Sequence, residues 1–287
     1  MAAFKPRRPR NGKSLPRSFR HNKVIGADPG VEPRRAARQQ FLRTRGIYLL
    51  PNAFTTAALF CGFFAVVQAM NVRFEIAAIA IFVAMVLDGM DGRVARMTHT
   101  QSAFGEQFDS LSDMVSFGVA PALVMYEWVL KDLDRWGWLA AFVYCSGAAL
   151  RLARFNTNIG SVDKRFFQGL PSPAAAALIA GFVWLATDNR VPLKLGWLPW
   201  AAFVLTIYAG VTMVSNAPFY SGKALDVRHR VPFAAILLVV AFVLVSSDPP
   251  LMLFGLFVLY GLSGYVFWGY MAIRGRANPA RSSQREH

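Results

Sequence analysis

Apolar residues in this chain gather in long runs separated by short polar stretches. A run of about 20 apolar residues spans the hydrocarbon core of a bilayer as a helix. Lipid offers no partners for backbone N–H and C=O groups, so such runs must be helical. Eight spans follow, near 47–70, 74–95, 106–130, 136–155, 170–187, 196–215, 231–247 and 249–272. Between the last two stands Ser246-Ser247-Asp248-Pro249-Pro250, where the prolines favour a tight turn over a continuing helix. The predicted fold class is all-α, a polytopic transmembrane helical bundle of about eight spans. A basic tail over 1–46 precedes the membrane domain over 47–273, and a short tail over 274–287 follows it. No internal repeat of fixed period is visible, and no soluble segment is large enough to fold alone.

Composition agrees with a membrane domain, since 55% of residues are hydrophobic and 16% charged. The net charge of +15 would suggest nucleic acid in a soluble protein, but its placement argues otherwise. Residues 1–46 hold 13 of the 31 Lys and Arg against two acids, Asp28 and Glu32, with no nucleic-acid-binding motif. No nucleic-acid partner is expected. Pro and Gly punctuate the first thirty residues, which read as disordered. From Glu32 to Arg45 a juxtamembrane helix is plausible, with Arg34, Arg35, Arg38, Arg43 and Arg45 suited to anionic headgroups. The tail reads first as a positive-inside signal, with lipid sensing or partner binding as alternatives. It does not match a cleavable signal peptide, because it lacks an early apolar core and a small-residue cleavage site.

The loops at 96–105, 156–169 and 216–230 share one side of the membrane with both tails. That side carries Lys164, Arg165, Lys223, Arg228, Arg230, Arg274, Arg276, Arg281 and Arg285. The opposite loops are nearly balanced, as in Lys131-Asp132-Leu133-Asp134-Arg135. The positive-inside rule then puts both termini in the cytoplasm, in the cell (inner) membrane. Cys61 and Cys145 fall inside predicted spans and read as packing residues.

One stretch is at odds with its apolar surroundings. Asp88 and Asp91 are three apart near the end of the second span, and Asp109 and Asp113 four apart near the start of the third. Both spacings place each pair on one helix face. Two antiparallel helices joined by a short loop can therefore aim four carboxylates at one point. Uncompensated, such a group repels itself. Hard divalent cations, Mg²⁺ or Mn²⁺, resolve the repulsion, and two of them would form a clamp for phosphoryl chemistry. The competing reading is four unrelated carboxylates at helix ends. Gly92 leaves room for close approach to a helix face, and Arg96, one turn on, suits either a pyrophosphate or a headgroup-level anchor.

The arrangement Asp88-x2-Asp91-Gly92-x2-Ala95-Arg96-x8-Gly105-x3-Asp109-x3-Asp113 resembles the full signature of the CDP-alcohol phosphatidyltransferases. The resemblance implies six core transmembrane helices, a homodimer, and an active site opening to the cytoplasmic leaflet. It implies that Asp88, Asp91 and Asp109 bind metal ions, and that Asp113 joins the metal site and acts as general base. Gly92 and Arg96 would contact the CDP moiety, with Ser102 near the phosphates, and Gly105, which can let the chain turn, counts with them among the CDP-diacylglycerol contacts. Leu50-Pro51-Asn52-Ala53-Phe54-Thr55 is similar to an element beside the nucleotide, adding Asn52 and Thr55 to the CDP-diacylglycerol contacts.

The runs over 104–121, 151–156 and 167–173 resemble the branch whose acceptor is L-serine. They imply transfer of the phosphatidyl group from CDP-diacylglycerol to the serine hydroxyl, with CMP as the other product. Arg151 and Arg154 are three apart on the fourth span, and a guanidinium can hold a carboxylate bidentately. With Asn156 they form the expected serine site, against the alternative that they only anchor a helix end. Other acceptors (glycerol 3-phosphate, inositol phosphate, choline) remain open, as does an ion or solute transporter, because intramembrane carboxylates also mark ion pathways.

Overall fold

The computed structural model describes residues 32–98, 100, 102–157, 166–190, 196–220, 239–240 and 243–276. The tail over 1–31, Lys164, Arg165 and most of the seventh expected span lie outside the described residues, as do residues 277–287. The chain divides into two compact units, Met1–Thr44 and Arg45–His287, and the second carries everything below.

Helices with both ends among the described residues are α1 (Glu32–Met70), α2 (Phe74–Met97), α3 (Ala103–Asp113), α4 (Ala120–Trp128), α5 (Arg135–Thr157), α6 (Ser172–Leu185), α7 (Leu198–Val214) and α8 (Pro249–Arg276), and residues 239–240 and 243–247 are helical too. Residues 32–45, where a juxtamembrane helix is expected, are helical. A π-helical segment, Met114–Val119, joins α3 to α4, so these three form the third span. A second π-helical segment, Ala186–Arg190, prolongs α6, and a 3₁₀ turn, Leu130–Leu133, leads towards α5. Among the described residues, three stretches are long and apolar enough to cross a membrane: Pro51–Met70, Ala103–Trp128 and Pro249–Tyr270. Helices α6 and α7 are apolar but shorter. The chain is an all-α membrane protein, as its hydropathy implies.

Local chemistry sets the helix ends. The α1–α2 turn closes with Arg73 N–H to Gln68 C=O and Val72 N–H to Ala69 C=O, both 2.9 Å. This is the Schellman pattern, and its left-handed residue is Val72 (φ 61°) in the place glycine usually takes. Ser102 caps α3, its Oγ accepting from Gly105 N–H at 3.0 Å, so the helix starts three residues before the expected 106.

The sequence reading contained no strand, yet Phe166–Gln168 (β1) pairs antiparallel with Pro218–Tyr220 (β2), Phe167 opposite Phe219. Gly169 follows β1 at φ 80°, and a Cβ there would stand 2.3 Å from the Met213 carbonyl oxygen, so only glycine fits.

Small residues dominate the interior. Helix α6 is buried along nearly its whole length, including Ala174 to Ala177 and Ala180, and packs against α2, α4, α7 and α8. Helices α5 and α7 approach backbone to backbone: a Cβ on Gly147 would lie 2.4 Å from the Gly210 carbonyl oxygen. Such contacts suit a membrane interior, where dispersion replaces the hydrophobic effect in drawing helices together. Many large apolar side chains, Phe60, Phe63, Phe142, Leu259 and Val266 among them, are exposed on the outside of the bundle. Trp136 and Trp138 open α5, and Trp197 and Trp200 sit at the start of α7; all four are exposed, as in interfacial aromatic belts.

Candidate active site

The site forms where the C-terminal end of α2 meets the start of α3, against the membrane-entry end of the second unit's first helix. Carboxylate oxygens of Asp88, Asp91 and Asp109 lie within 4.8 Å of one another. Asp113 joins from one turn further along α3, its carboxyl within hydrogen-bonding reach of Asp88. The spacings of three and four therefore do converge. Asp91 is 5% exposed, and its Oδ2 accepts from the Thr55 hydroxyl at 2.8 Å. One oxygen of Asp109 (Oδ1) and one of Asp113 (Oδ1) are buried without a hydrogen-bond partner. Buried carboxylate oxygens carry a large desolvation penalty unless something compensates it. A cluster of hard oxygen donors with uncompensated members fits a divalent cation.

Beside the carboxylates opens a cavity of about 160 Å³. All six residues expected to contact CDP-diacylglycerol line it: Asn52, Thr55, Gly92, Arg96, Ser102 and Gly105. Asp91 and Asp109 form its floor towards the cluster. A Cβ on Gly92 would meet nothing within 4 Å and would project into free space. At Gly105 a Cβ would stand 3.2 Å from Ser102 Oγ and 3.6 Å from Asn52 Oδ1, so glycine preserves a tight polar corner. Arg96 lines the cavity and is exposed.

The residues expected at the acceptor site lie outside the residues that line this cavity. Arg151 donates to Ser172 Oγ at 2.6 Å and faces Asp113 closely enough for the two charges to attract. Arg154 turns away and donates to Asn216 Oδ1 at 3.2 Å. Asn156 pairs with Ser110, its Nδ2 donating to Oγ at 3.0 Å. None of the three lines the cavity that holds the glycines, and the two arginines have different partners.

Several site residues escaped the sequence reading. Thr100 and Glu106 also line the cavity. Glu106 precedes Asp109 by one helical turn, a spacing that could have flagged it. The roles of Ser172 and Asn216 are long-range pairings without local signal, although Ser172 falls in the 167–173 run singled out above.

This geometry matches what a family comparison finds. The model of the CDP-alcohol phosphatidyltransferase family matches residues 48–208. The chain belongs to the CDP-alcohol phosphatidyltransferase family. Among curated relatives, it is 36% identical over 222 residues to a CDP-diacylglycerol–serine O-phosphatidyltransferase of Helicobacter pylori strain J99, covering 77% of this chain and 92% of the relative. A protein of the same name from Mycobacterium leprae is 31% identical over 233 residues, 78% of this chain and 76% of the relative. One from Methanocaldococcus jannaschii is 38% identical over 145 residues, 50% of this chain and 64% of the relative.

Proposed function

We propose that this chain transfers the phosphatidyl group of CDP-diacylglycerol to the hydroxyl of L-serine, releasing CMP and leaving phosphatidylserine in the membrane. The observation that carries the reading is the cavity itself, where six nucleotide-side candidates share one space with Asp91 and Asp109, two members of the carboxylate cluster. The printed names of the relatives support serine as the acceptor.

Asp88, Asp91, Asp109 and Asp113 would hold Mg²⁺ or Mn²⁺, whose charge when bound offsets that of the pyrophosphate and its transition state. Arg96 pairs with the pyrophosphate. Gly92 and Gly105 let it approach the backbone, and Asn52 and Ser102 offer polar contacts beside it. Arg151 orients the serine carboxylate, with Arg154 and Asn156 as the other acceptor-side residues. In this pose the serine hydroxyl lies towards Asp113, which takes its proton as the oxygen attacks the phosphorus bearing diacylglycerol. A new O–P bond forms, the pyrophosphate bond breaks, and CMP departs with the electron pair. Positioning carries much of the rate, since a carboxylate is a weak base unless held against the proton it accepts.

The same reading places the protein in the cell membrane as a homodimer, with the active site and both tails cytoplasmic and a catalytic domain over 47–273. Positive charge at the ends of the spans supports that orientation.

The test is CMP release by the purified protein in detergent with CDP-diacylglycerol. L-serine, glycerol 3-phosphate, inositol phosphate and choline are each supplied with Mg²⁺, Mn²⁺ or EDTA. Serine-dependent, EDTA-sensitive release that disappears in Asp113→Asn is expected. Release with another acceptor alone would replace serine.

A further inference from the structure

Asp113 ends α3, and the next six residues, Met114–Val119, adopt π-helical geometry, with Ala120 N–H reaching back to the Val115 carbonyl. A π segment inside an α-helix is rare and recurs at functional sites. This one is gripped from two sides. From α5, the Tyr144 hydroxyl donates to the Phe117 carbonyl at 2.9 Å, with both residues fully buried. Towards α1, the Ser116 hydroxyl donates to the Ala58 carbonyl at 3.1 Å, and Ser112 donates to Thr55 in the same way at 3.1 Å. Packing at the segment leaves no slack: a Cβ on Gly62 would stand 2.6 Å from Ser116 Oγ, and one on Gly118 3.2 Å from Ala148 Cβ.

Over six residues a π-helix turns through on the order of 100° less than an α-helix does. Relaxation to α-helix would therefore rotate one flank against the other. Helix α4 is held by its buried Ala120, Ala122, Val124 and Met125. The rotation would fall on α3, carrying Asp109 and Asp113 out of line with Asp88 and Asp91.

We propose that Tyr144 and Ser116 are positioning residues for the carboxylate cluster, their hydroxyls holding the π segment in the register that aims Asp109 and Asp113 at α2. The inference rests on the metal reading given above. Its readout is Mn²⁺ binding to the full-length protein in detergent, followed by electron paramagnetic resonance without substrate. Tyr144→Phe keeps the ring but takes the hydroxyl donor away from the buried Phe117 carbonyl. The competent fraction drops, and apparent Mn²⁺ affinity falls by about five- to tenfold, the reach of one buried hydrogen bond. Replacing Tyr144 by 4-aminophenylalanine, which keeps a donor at the ring end, restores the affinity. A role in packing alone would not give that rescue. Amide exchange over residues 114–120 accelerates in Tyr144→Phe and slows again in the rescued protein.

Ser116→Ala removes the other grip with little change in volume, and it carries the test should Tyr144→Phe not fold; the same direction of loss is expected. Wild-type Mn²⁺ affinity in either folded variant overturns the proposal. A wild-type protein that binds no Mn²⁺ fails earlier, and overturns the metal reading with it.

Discussion

Thr55 offers a sharp quantitative test of the site. It is 4% exposed, and its hydroxyl has two acceptors in reach: Asp91 Oδ2 at 2.8 Å and the Pro51 carbonyl at 3.1 Å. A hydroxyl has one proton, and the shorter, charge-assisted contact to the carboxylate takes it. Thr55 thus lines the cavity while its hydrogen bond serves a carboxylate of the cluster. Thr55→Val preserves the shape and deletes the donor. A hydrogen bond to a charged group is worth about 1.5–3 kcal/mol, an equilibrium effect of roughly 10- to 150-fold. Outer partners of metal ligands independently suggest about 10- to 100-fold in metal affinity. The assay is CMP release titrated with Mn²⁺, paired with direct Mn²⁺ binding. Thr55→Val should shift both midpoints upward by about that range, and Thr55→Ser should stay near wild type. If Thr55→Val and Thr55→Ser gave the same Mn²⁺ midpoint as wild type, the hydrogen bond would have no part in holding Asp91 for the metal.

Three further outcomes follow from the geometry. Val72→Gly relieves a left-handed β-branched residue, which costs about 1–2 kcal/mol, partly offset by glycine's entropy in the unfolded chain; melting should rise by about 2–4 °C, and an unchanged midpoint would refute the strain. Gly92→Leu projects into open space, so the protein should fold with normal melting but lose CDP affinity by tenfold or more (about 1.4 kcal/mol), read by calorimetric titration with CDP. Arg151→Ala should raise the KM for serine by more than tenfold (again about 1.4 kcal/mol) while leaving the KM for CDP-diacylglycerol within about twofold, since Arg151 is not among the residues that line the cavity; equal effects on both substrates would remove it from the acceptor side.

What could be read from the sequence was whatever helix geometry alone determines. The faces of Asp88/Asp91 and of Asp109/Asp113 follow from spacings of three and four, and their meeting follows from a short loop between antiparallel helices. Apolar runs marked the spans because lipid leaves the backbone no alternative. Hidden features depend on partners distant in the chain. Thr55 and Asp91 are 36 positions apart, Tyr144 and Phe117 are 27 apart, and neither pairing leaves a periodic trace. The π segment after Asp113 has no composition of its own; Met114 to Val119 read simply as more apolar helix. Strands of three residues are too short to show alternation, which is why β1 and β2 went unseen. Arg151 and Arg154 were expected to act as a pair, yet three residues on a helix also leave them 60° apart (from about 100° per residue), enough for Ser172 to take one and Asn216 the other.

The final helix has a consequence for how the protein is made. Helix α8 meets its neighbours through fitted contacts: Gly181 of α6 against Phe254, Gly264 against the Phe219 ring, and hydroxyl contacts from Tyr208 to Gly261 and between Thr212 and Tyr265. These groups on α6, α7 and β2 are synthesised before α8 leaves the ribosome. Until then the Tyr208 and Thr212 hydroxyls lack those partners, and the ring of Phe219 lacks its seat on Gly264. Closure of the bundle is therefore a late event in biogenesis, gated by the last membrane helix. A released chain that ends at Asp248 should be cut readily near β2 by added protease, and the full-length chain should resist. Equal cutting of the two would mean that the earlier helices close by themselves.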